Sequence, residues 1–160
     1  MLGIESCRRG RSRCRFFMAA AVFVGSPACS PPDPDFMPDD VLRRELGLSD
    51  EDRVHTVLLT GGEIEVADPV IDSVEPSAFV QFVTADWFVH EVRFEADSLG
   101  AEARDFLERT EQMASPPLLY KDSRFVVSFE GAPPGMYPYL LEGNGQPGRG
   151  LIVVSDPRSR

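Results

Sequence analysis

Cysteine is scarce in this chain and is confined to one end of it. The 160-residue sequence contains three cysteines, and the last of them is Cys29. The residues that follow therefore offer no thiolate for nucleophilic catalysis, for a disulfide or for a metal site with sulfur ligands. Histidine is rarer still, with only His55 and His90. No GxSxG motif is present, so the chain also lacks the usual setting of a serine nucleophile.

The sequence has no hydrophobic run of the length that a transmembrane helix needs, which is about 20 residues. The apolar run at residues 16–28 is shorter, follows a segment with five arginines, and ends at Cys29. The basic residues are Arg8, Arg9, Arg11, Arg13 and Arg15. This order of basic, apolar and small residues predicts a signal peptide over residues 1–28.

The residues before Cys29 resemble the cleavage box of a bacterial lipoprotein, because the small residue Ala28 directly precedes the cysteine. We therefore expect lipidation of Cys29, with simple cleavage after Ala28 as the alternative. Residues 30–40 contain four prolines and four aspartates, a composition that favours an extended chain. The pattern predicts a tether over residues 29–40 and one folded domain over residues 41–160.

These features together predict an exported protein, either periplasmic or anchored to the outer membrane of a bacterium. Acyl chains on Cys29 would hold it on the membrane without a spanning helix. The net charge is −10 despite the basic leader, so the domain is strongly acidic and repels phosphate backbones. Nucleic acid is excluded as a partner, and we expect an envelope protein or a small ligand instead.

The periodicity of the domain predicts mostly β structure. Short segments of alternating or continuous apolar residues are separated by Gly and Pro, as in a β-sandwich of about seven strands. Strands are predicted at 54–59, 63–66, 70–74, 79–84, 88–94, 124–129, 137–141 and 150–154. Helical spacing predicts one short helix between Pro38 and Gly47 and a second over residues 101–113.

Two segments resemble the cupredoxin family, in particular its plastocyanin-like members. Residues 80–94, VQFVTADWFVHEVRF, place His90 at the first copper-binding histidine of the family. Residues 135–154, GMYPYLLEGNGQPGRGLIVV, resemble the closing pair of strands around the ligand loop. The resemblance implies an all-β, cupredoxin-like Greek-key β-sandwich with one or two short helices.

The other ligand positions of the family carry residues that cannot complete its copper site. The places of the cysteine, the second histidine and the methionine hold Leu141, Asn144 and Gly148. A type 1 copper site needs two imidazoles and a thiolate. We therefore expect no cofactor and interpret His90 as a vestigial ligand, hydrogen-bonded to a backbone group or to Asn144.

One alternative keeps a metal at this place. His90 would then be joined by Asp86 or Glu142, and by His55 if that residue converged on it, in a non-standard copper site for electron transfer or copper handling. A second alternative is an accessory domain of an enzyme that acts on a carbohydrate or on another envelope protein.

The main hypothesis is a binding or structural module that is not an enzyme. Its candidate contact loop comprises Trp87, Asn144 and Gln146, although a sandwich of this size favours a core position for Trp87, as for Tyr137 and Tyr139. Paired carboxylates such as Glu63 and Glu65 are expected on an exposed strand face, without an acid–base role.

Overall fold

The computed structural model of the chain describes residues 34–156, which belong to one compact unit. The predicted signal peptide, Cys29 and the first part of the predicted tether lie outside the described residues. Within the described part, no helix is both long enough and apolar enough to cross a membrane.

Residues 34–156 form eight strands and two α-helices. A 3-10 turn at Pro34–Phe36 precedes them. In chain order they are α1 (Asp40–Leu46), β1 (Val54–Thr60), β2 (Val66–Asp68), β3 (Ile71–Val74), β4 (Phe79–Thr84), β5 (His90–Phe94), α2 (Ala101–Arg109), β6 (Arg124–Ser128), β7 (Gly135–Gly143) and β8 (Gly148–Val154).

The strands form two four-stranded sheets with the orders β2-β1-β4-β6 and β3-β8-β7-β5. In the first sheet β1 and β4 run parallel, while β4 and β6 are antiparallel. In the second sheet β7 pairs antiparallel with both β5 and β8, and β3 lies parallel to β8 at the edge. This architecture confirms the predicted all-β sandwich with short helices.

The core lies between the sheets and is rich in aromatic rings. Tyr139 meets Phe82 edge-on, with ring centroids 5.1 Å apart, and Tyr137 meets Phe129 in the same way at 5.2 Å. All four residues are fully buried. Edge-to-face pairs add about 0.5–1.5 kcal/mol each to the burial of the rings. The predicted core positions of Tyr137 and Tyr139 are confirmed.

Helix α1 forms where its start and stop signals lie. The Asp39 side chain accepts hydrogen bonds from the backbone N–H groups of Val41 and Leu42, both at 2.9 Å. Gly47 ends the helix in the left-handed conformation, with φ of 70°. Leu42 is buried, so the helix is held against the sandwich by its apolar face.

Several predicted boundaries are wrong. Strand β7 extends two residues beyond each end of its predicted range of 137–141, and β8 begins two residues before its predicted range of 150–154. Helix α2 ends at Arg109 rather than at residue 113, since Glu111 has a positive φ of 56° and cannot continue it. The strand predicted at 63–66 begins only at Val66, and Ile64 makes an isolated bridge to Gln146. Strand β5 begins at His90, because the Asp86 side chain accepts a hydrogen bond from the Phe88 N–H and bends the chain there.

Candidate functional site

His90 is the centre of the candidate site and is completely buried. As the first residue of β5 it pairs with Gly143, the last residue of β7. Its backbone N–H and C=O also bond to Leu118, at 3.1 and 2.8 Å. The side chain therefore lies at one end of the sandwich, where the loops that follow β1, β4 and β7 meet.

Two carboxylates flank the His90 ring. Nε2 lies 2.9 Å from Oδ1 of Asp86 in a hydrogen bond, and Nδ1 lies 2.9 Å from Oε2 of Glu65. The second contact has the distance of an ion pair but not the alignment of a hydrogen bond, so it is electrostatic in character. We refer to Glu65, His90 and Asp86 as the His90 triad.

Glu65 is buried as deeply as His90, with 2% of its surface exposed. Its backbone N–H donates to the Gln146 carbonyl at 2.9 Å, and its Oε1 accepts from the Gly145 N–H at 2.8 Å. Burying a carboxylate is costly unless it is paired and hydrogen-bonded. Here Oε1 has a hydrogen bond, whereas Oε2 faces Nδ1 of His90 without one. The expectation that Glu65 lies on an exposed strand face is wrong.

Glycines make the room that Glu65 occupies. A Cβ atom on Gly143 would lie 2.5 Å from Oε1 of Glu65, which is closer than nonbonded atoms approach. A Cβ on Gly148 would collide with the Glu65 backbone carbonyl. The glycines around the last hairpin therefore do more than turn the chain, because they allow the Glu65 backbone and carboxylate to pack directly against it.

Asp86 holds the loop before His90 in place. Its Oδ2 accepts from the Gly61 N–H at 2.6 Å, and its Oδ1 accepts from the Phe88 N–H at 2.9 Å. Burial alone raises the pKa of the Asp86 carboxyl, but the hydrogen bonds from Gly61, His90 and Phe88 hold that pKa below its ordinary value.

The predicted partner of His90 is wrong. Both ring nitrogens face carboxylates rather than a backbone group or Asn144, and Asn144 is exposed in the loop after β7. Glu142 lies elsewhere, in an ion pair with Arg93. Only Asp86, of the two carboxylates considered as co-ligands of His90, contacts the imidazole.

The positions matched to the other copper ligands lie close to His90 but supply no donor side chain. Leu141 is fully buried and pairs with Val92 on one side and Gly148 on the other. Gly148 packs against the Glu65 backbone. Sequence reasoning therefore identified the correct end of the sandwich and missed Glu65, the residue that fills it.

The residues at this end do not fit a type 1 copper centre. Glu65 is the side chain that faces Nδ1, and Leu141 has no sulfur. The ring nitrogens of an imidazole point in different directions, so Glu65 and Asp86, one beside each nitrogen, do not converge on one ion. Among residues 34–156, no group of three or more His, Cys, Asp or Glu side chains has an arrangement that could hold a metal.

His55 does not converge on His90. It lies near the start of β1, whereas Gly61, which bonds to Asp86, follows the end of that strand. At about 3.3 Å per residue the two places are about 20 Å apart along the strand. The non-standard metal site that would combine both histidines is therefore contradicted.

His55 has its own pair of carboxylates. Nδ1 lies 3.2 Å from Oδ2 of Asp72, and Nε2 lies 3.1 Å from Oε2 of Glu75. Burial alone lowers the pKa of His55, but the hydrogen bonds and charges of Asp72 and Glu75 raise that pKa above its ordinary value. The Phe36 ring packs on the imidazole at 4.6 Å, and Arg53 lies over Phe36 at 4.8 Å.

Large apolar side chains are exposed beside the His90 triad. Trp87 is 76% exposed, so its expected core position is wrong. The bridge between His90 and Leu118 is antiparallel, which brings the residues before His90 alongside those after Leu118. We define the apolar patch as the exposed residues of these two segments, which are Trp87, Phe88, Val89, Leu119 and Tyr120.

Comparison with known proteins yields matches among solved structures alone. No family model matches the chain, and no curated protein matches it. An oxidized mutant of amicyanin is 19% identical over 76% of this chain and 95% of its own, with a TM-score of 0.45. A purple cupredoxin from Nitrosopumilus maritimus is 20% identical over 63% of this chain and 99% of its own, with a TM-score of 0.42.

A mutant plastocyanin of a fern is 17% identical and covers 62% of this chain and 99% of its own, with a TM-score of 0.45. At such identities the likeness concerns the fold alone, and the fold of this chain is established by its own two sheets and their strand order.

Proposed function

We propose that this chain is an exported cupredoxin-like domain without a functional type 1 copper site, acting as a binding or structural module at the bacterial cell envelope. The observation that carries the proposal is the pairing of two features at one end of the sandwich. The place of the first copper ligand is filled by the buried His90 triad, and the apolar patch is exposed beside it.

The triad supports a role that does not depend on copper. An imidazole that ligates a metal must turn a free nitrogen towards it. In the described structure both nitrogens of His90 face carboxylate oxygens of the same chain at 2.9 Å. Residues 34–156 contain no cysteine, so the chemistry of this end favours an internal histidine–carboxylate network over a redox centre.

The apolar patch supports a contact surface. Exposed aromatic side chains on a rigid frame are the usual anchors of protein interfaces. Trp87 and Tyr120 are 76% and 65% exposed, and two β-sheets hold the loops that carry them. Asn144 and Gln146 are exposed in the neighbouring loop after β7 and would form the polar rim of such a surface.

The leader supports the cellular setting. The five arginines, the apolar run and Cys29 are the features of an exported protein with a lipid anchor. On this proposal the partner is an envelope protein or a small ligand, the membrane contact is through the lipid alone, and no catalytic reaction is involved.

Site-directed photo-crosslinking in the producing cells tests the contact surface. A photoreactive amino acid replaces Trp87 in one variant and Met136 in another. Met136 is a matched control, because it is 65% exposed but lies at the opposite end of β7. We expect a defined crosslinked product from position 87 and none from position 136. Equal crosslinking from both positions, or none from position 87, would contradict the proposal.

A further inference from the structure

The His90 triad links the two loops that carry the proposed contact surface. On one side, Oε1 of Glu65 accepts from the Gly145 N–H, in the loop that also holds Asn144 and Gln146. On the other side, Oε2 of Glu65 faces Nδ1 of His90. Glu65 itself belongs to neither loop, so one buried carboxylate connects the loop after β7 with the start of β5.

The connection continues through Asp86 to the apolar patch. Nε2 of His90 bonds to Oδ1 of Asp86, and the same oxygen accepts from the Phe88 N–H. Trp87 lies between Asp86 and Phe88 in the sequence. Asp86 therefore holds the Trp87 loop through the Phe88 N–H. Asp86 is itself held by the Gly61 N–H and by His90, and the His90 ring faces Glu65 on its other side.

The burial of Glu65 makes this arrangement sensitive to its loss. The side chains of Glu65 and His90 are both 0% exposed, so solvent does not separate them. Glu65→Ala would remove the group that faces Nδ1 and leave a cavity beside the ring. Loss of the Glu65 carboxylate should therefore displace the His90 ring rather than leave it unchanged.

We propose that Glu65 is a positioning residue that couples the loop after β7 to the Trp87 loop through His90 and Asp86, and so holds the apolar patch in its binding conformation. The inference rests on the proposed function for its biological meaning. The coupling itself is a property of the described residues and needs neither a partner nor a metal. In this arrangement the Glu65 carboxylate connects the two loops that lie around His90.

Amide hydrogen exchange in the full chain tests the coupling. The Phe88 N–H bonds to Asp86 and not to Glu65, so it reports on transmission rather than on direct contact. In Glu65→Ala we expect the Phe88 amide to exchange about tenfold faster than in the unmodified chain, as expected for the loss of one bond to a charged group. Trp87, the single tryptophan of the chain, should gain rotational freedom in fluorescence anisotropy.

Two controls separate coupling from general loosening. Glu63→Ala removes an exposed carboxylate two residues away and should leave both readouts unchanged. The Val57 amide, in the middle of β1, should keep its protection in every variant. Formate added to Glu65→Ala should restore the protection of Phe88, because it supplies a carboxylate small enough for the vacated space, whereas chloride at equal ionic strength should not.

A second variant keeps the test valid if Glu65→Ala does not fold. Gly143→Ala places a methyl group 2.5 Å from Oε1 of Glu65 and should displace the carboxylate. Gly62→Ala is its matched control, because its Cβ would make only an ordinary contact, 3.8 Å from the Ile64 carbonyl oxygen. Faster exchange only at Gly145, with Phe88 and Trp87 unchanged, would overturn the proposal. In Glu65→Ala, faster exchange at Phe88 that formate does not reverse would also overturn it. Either result leaves the crosslinking prediction at position 87 intact, so the two proposals fail separately.

Discussion

Each histidine of this chain lies between two carboxylates, and the two sets occupy opposite ends of the sandwich. In each set one imidazole has a carboxylate beside each ring nitrogen. At the His90 end the network is buried beside the apolar patch. At the His55 end it holds Phe36, from the described part of the predicted tether, against β1.

His55 should make stability depend on pH. Because Asp72 and Glu75 raise the pKa of His55 above its ordinary value of 6.5, the folded state binds a proton more tightly than the unfolded chain does. The resulting stabilisation is complete below about pH 6.5 and is lost as pH rises through the raised pKa. Replacing His55 by Gln should remove this loss of stabilisation with rising pH.

Urea denaturation at a series of pH values between about 5.5 and 9 measures the effect. The free energy of unfolding of the unmodified chain should fall relative to that of His55→Gln as pH rises above about 6.5. Asp50→Asn is a suitable control, because it changes an exposed carboxylate at a distance in sequence from Asp72 and Glu75. Parallel pH profiles for the unmodified chain and His55→Gln would contradict this account of the His55 contacts.

The burial of some residues can be predicted from the neighbouring sequence, and the burial of others cannot. Residues 90–94 alternate between buried and less buried positions, so the local period of this strand is enough to place His90 on the buried face. Glu65 could not be found in this way, because its burial depends on glycines some 80 positions later in the chain. Trp87 was misplaced for a related reason, since the Asp86 side chain bends the chain before β5 and turns the indole outward.

At the scale of elements, helix α1 depends on its first residues. Asp39 caps the helix through Val41 and Leu42 and also forms an ion pair with Arg124 at 2.6 Å. Burial alone raises the pKa of Asp39, but these hydrogen bonds hold that pKa below its ordinary value. We expect Asp39→Ala to lower the free energy of unfolding by about 1 kcal/mol, the typical value of an N-cap.

Asp40→Ala provides the comparison, since Asp40 is exposed in the first turn and makes no capping bond. Its replacement should cost only a few tenths of a kcal/mol, about the value of a surface charge near a helix N-terminus. Urea denaturation of the two variants at pH 7 distinguishes them. Equal losses from both would show that Asp39 acts through its charge alone and would contradict its assignment as the cap.

The errors in the elements have a common origin. The central residues of the strands and helices were predicted from the spacing of apolar residues, and β4 matches its predicted residues 79–84. The segment before β2 and the start of β5 were misjudged because particular hydrogen bonds decide their conformation. Before β2 these are backbone bonds to Gln146, and before β5 it is the bond from the Phe88 N–H to the Asp86 side chain. Such hydrogen bonds leave no trace in local periodicity.

At the scale of the whole molecule, the sandwich is assembled from strands far apart in sequence. Strand β1 pairs with β4, and β3 pairs with β8, so both sheets need long-range contacts to form. The fold class could still be anticipated, because period-2 segments punctuated by Gly and Pro have few ways to bury their apolar faces. The chemistry at the His90 end could not be anticipated from the sequence, because it depends on which side chains the completed sandwich brings together.

The central claim is that the end of the sandwich around His90 is closed by the chain's own carboxylates and holds no copper. The direct measurement is copper per chain after loading the full chain with Cu(II) and removing the excess by gel filtration. Cys7, Cys14 and Cys29 are replaced by Ser in every sample, so that thiols of the leader do not bind the metal. The same chain with His90→Ala is the control. We predict no stoichiometric copper in either protein, whereas one copper per chain that is lost with His90→Ala would contradict the account.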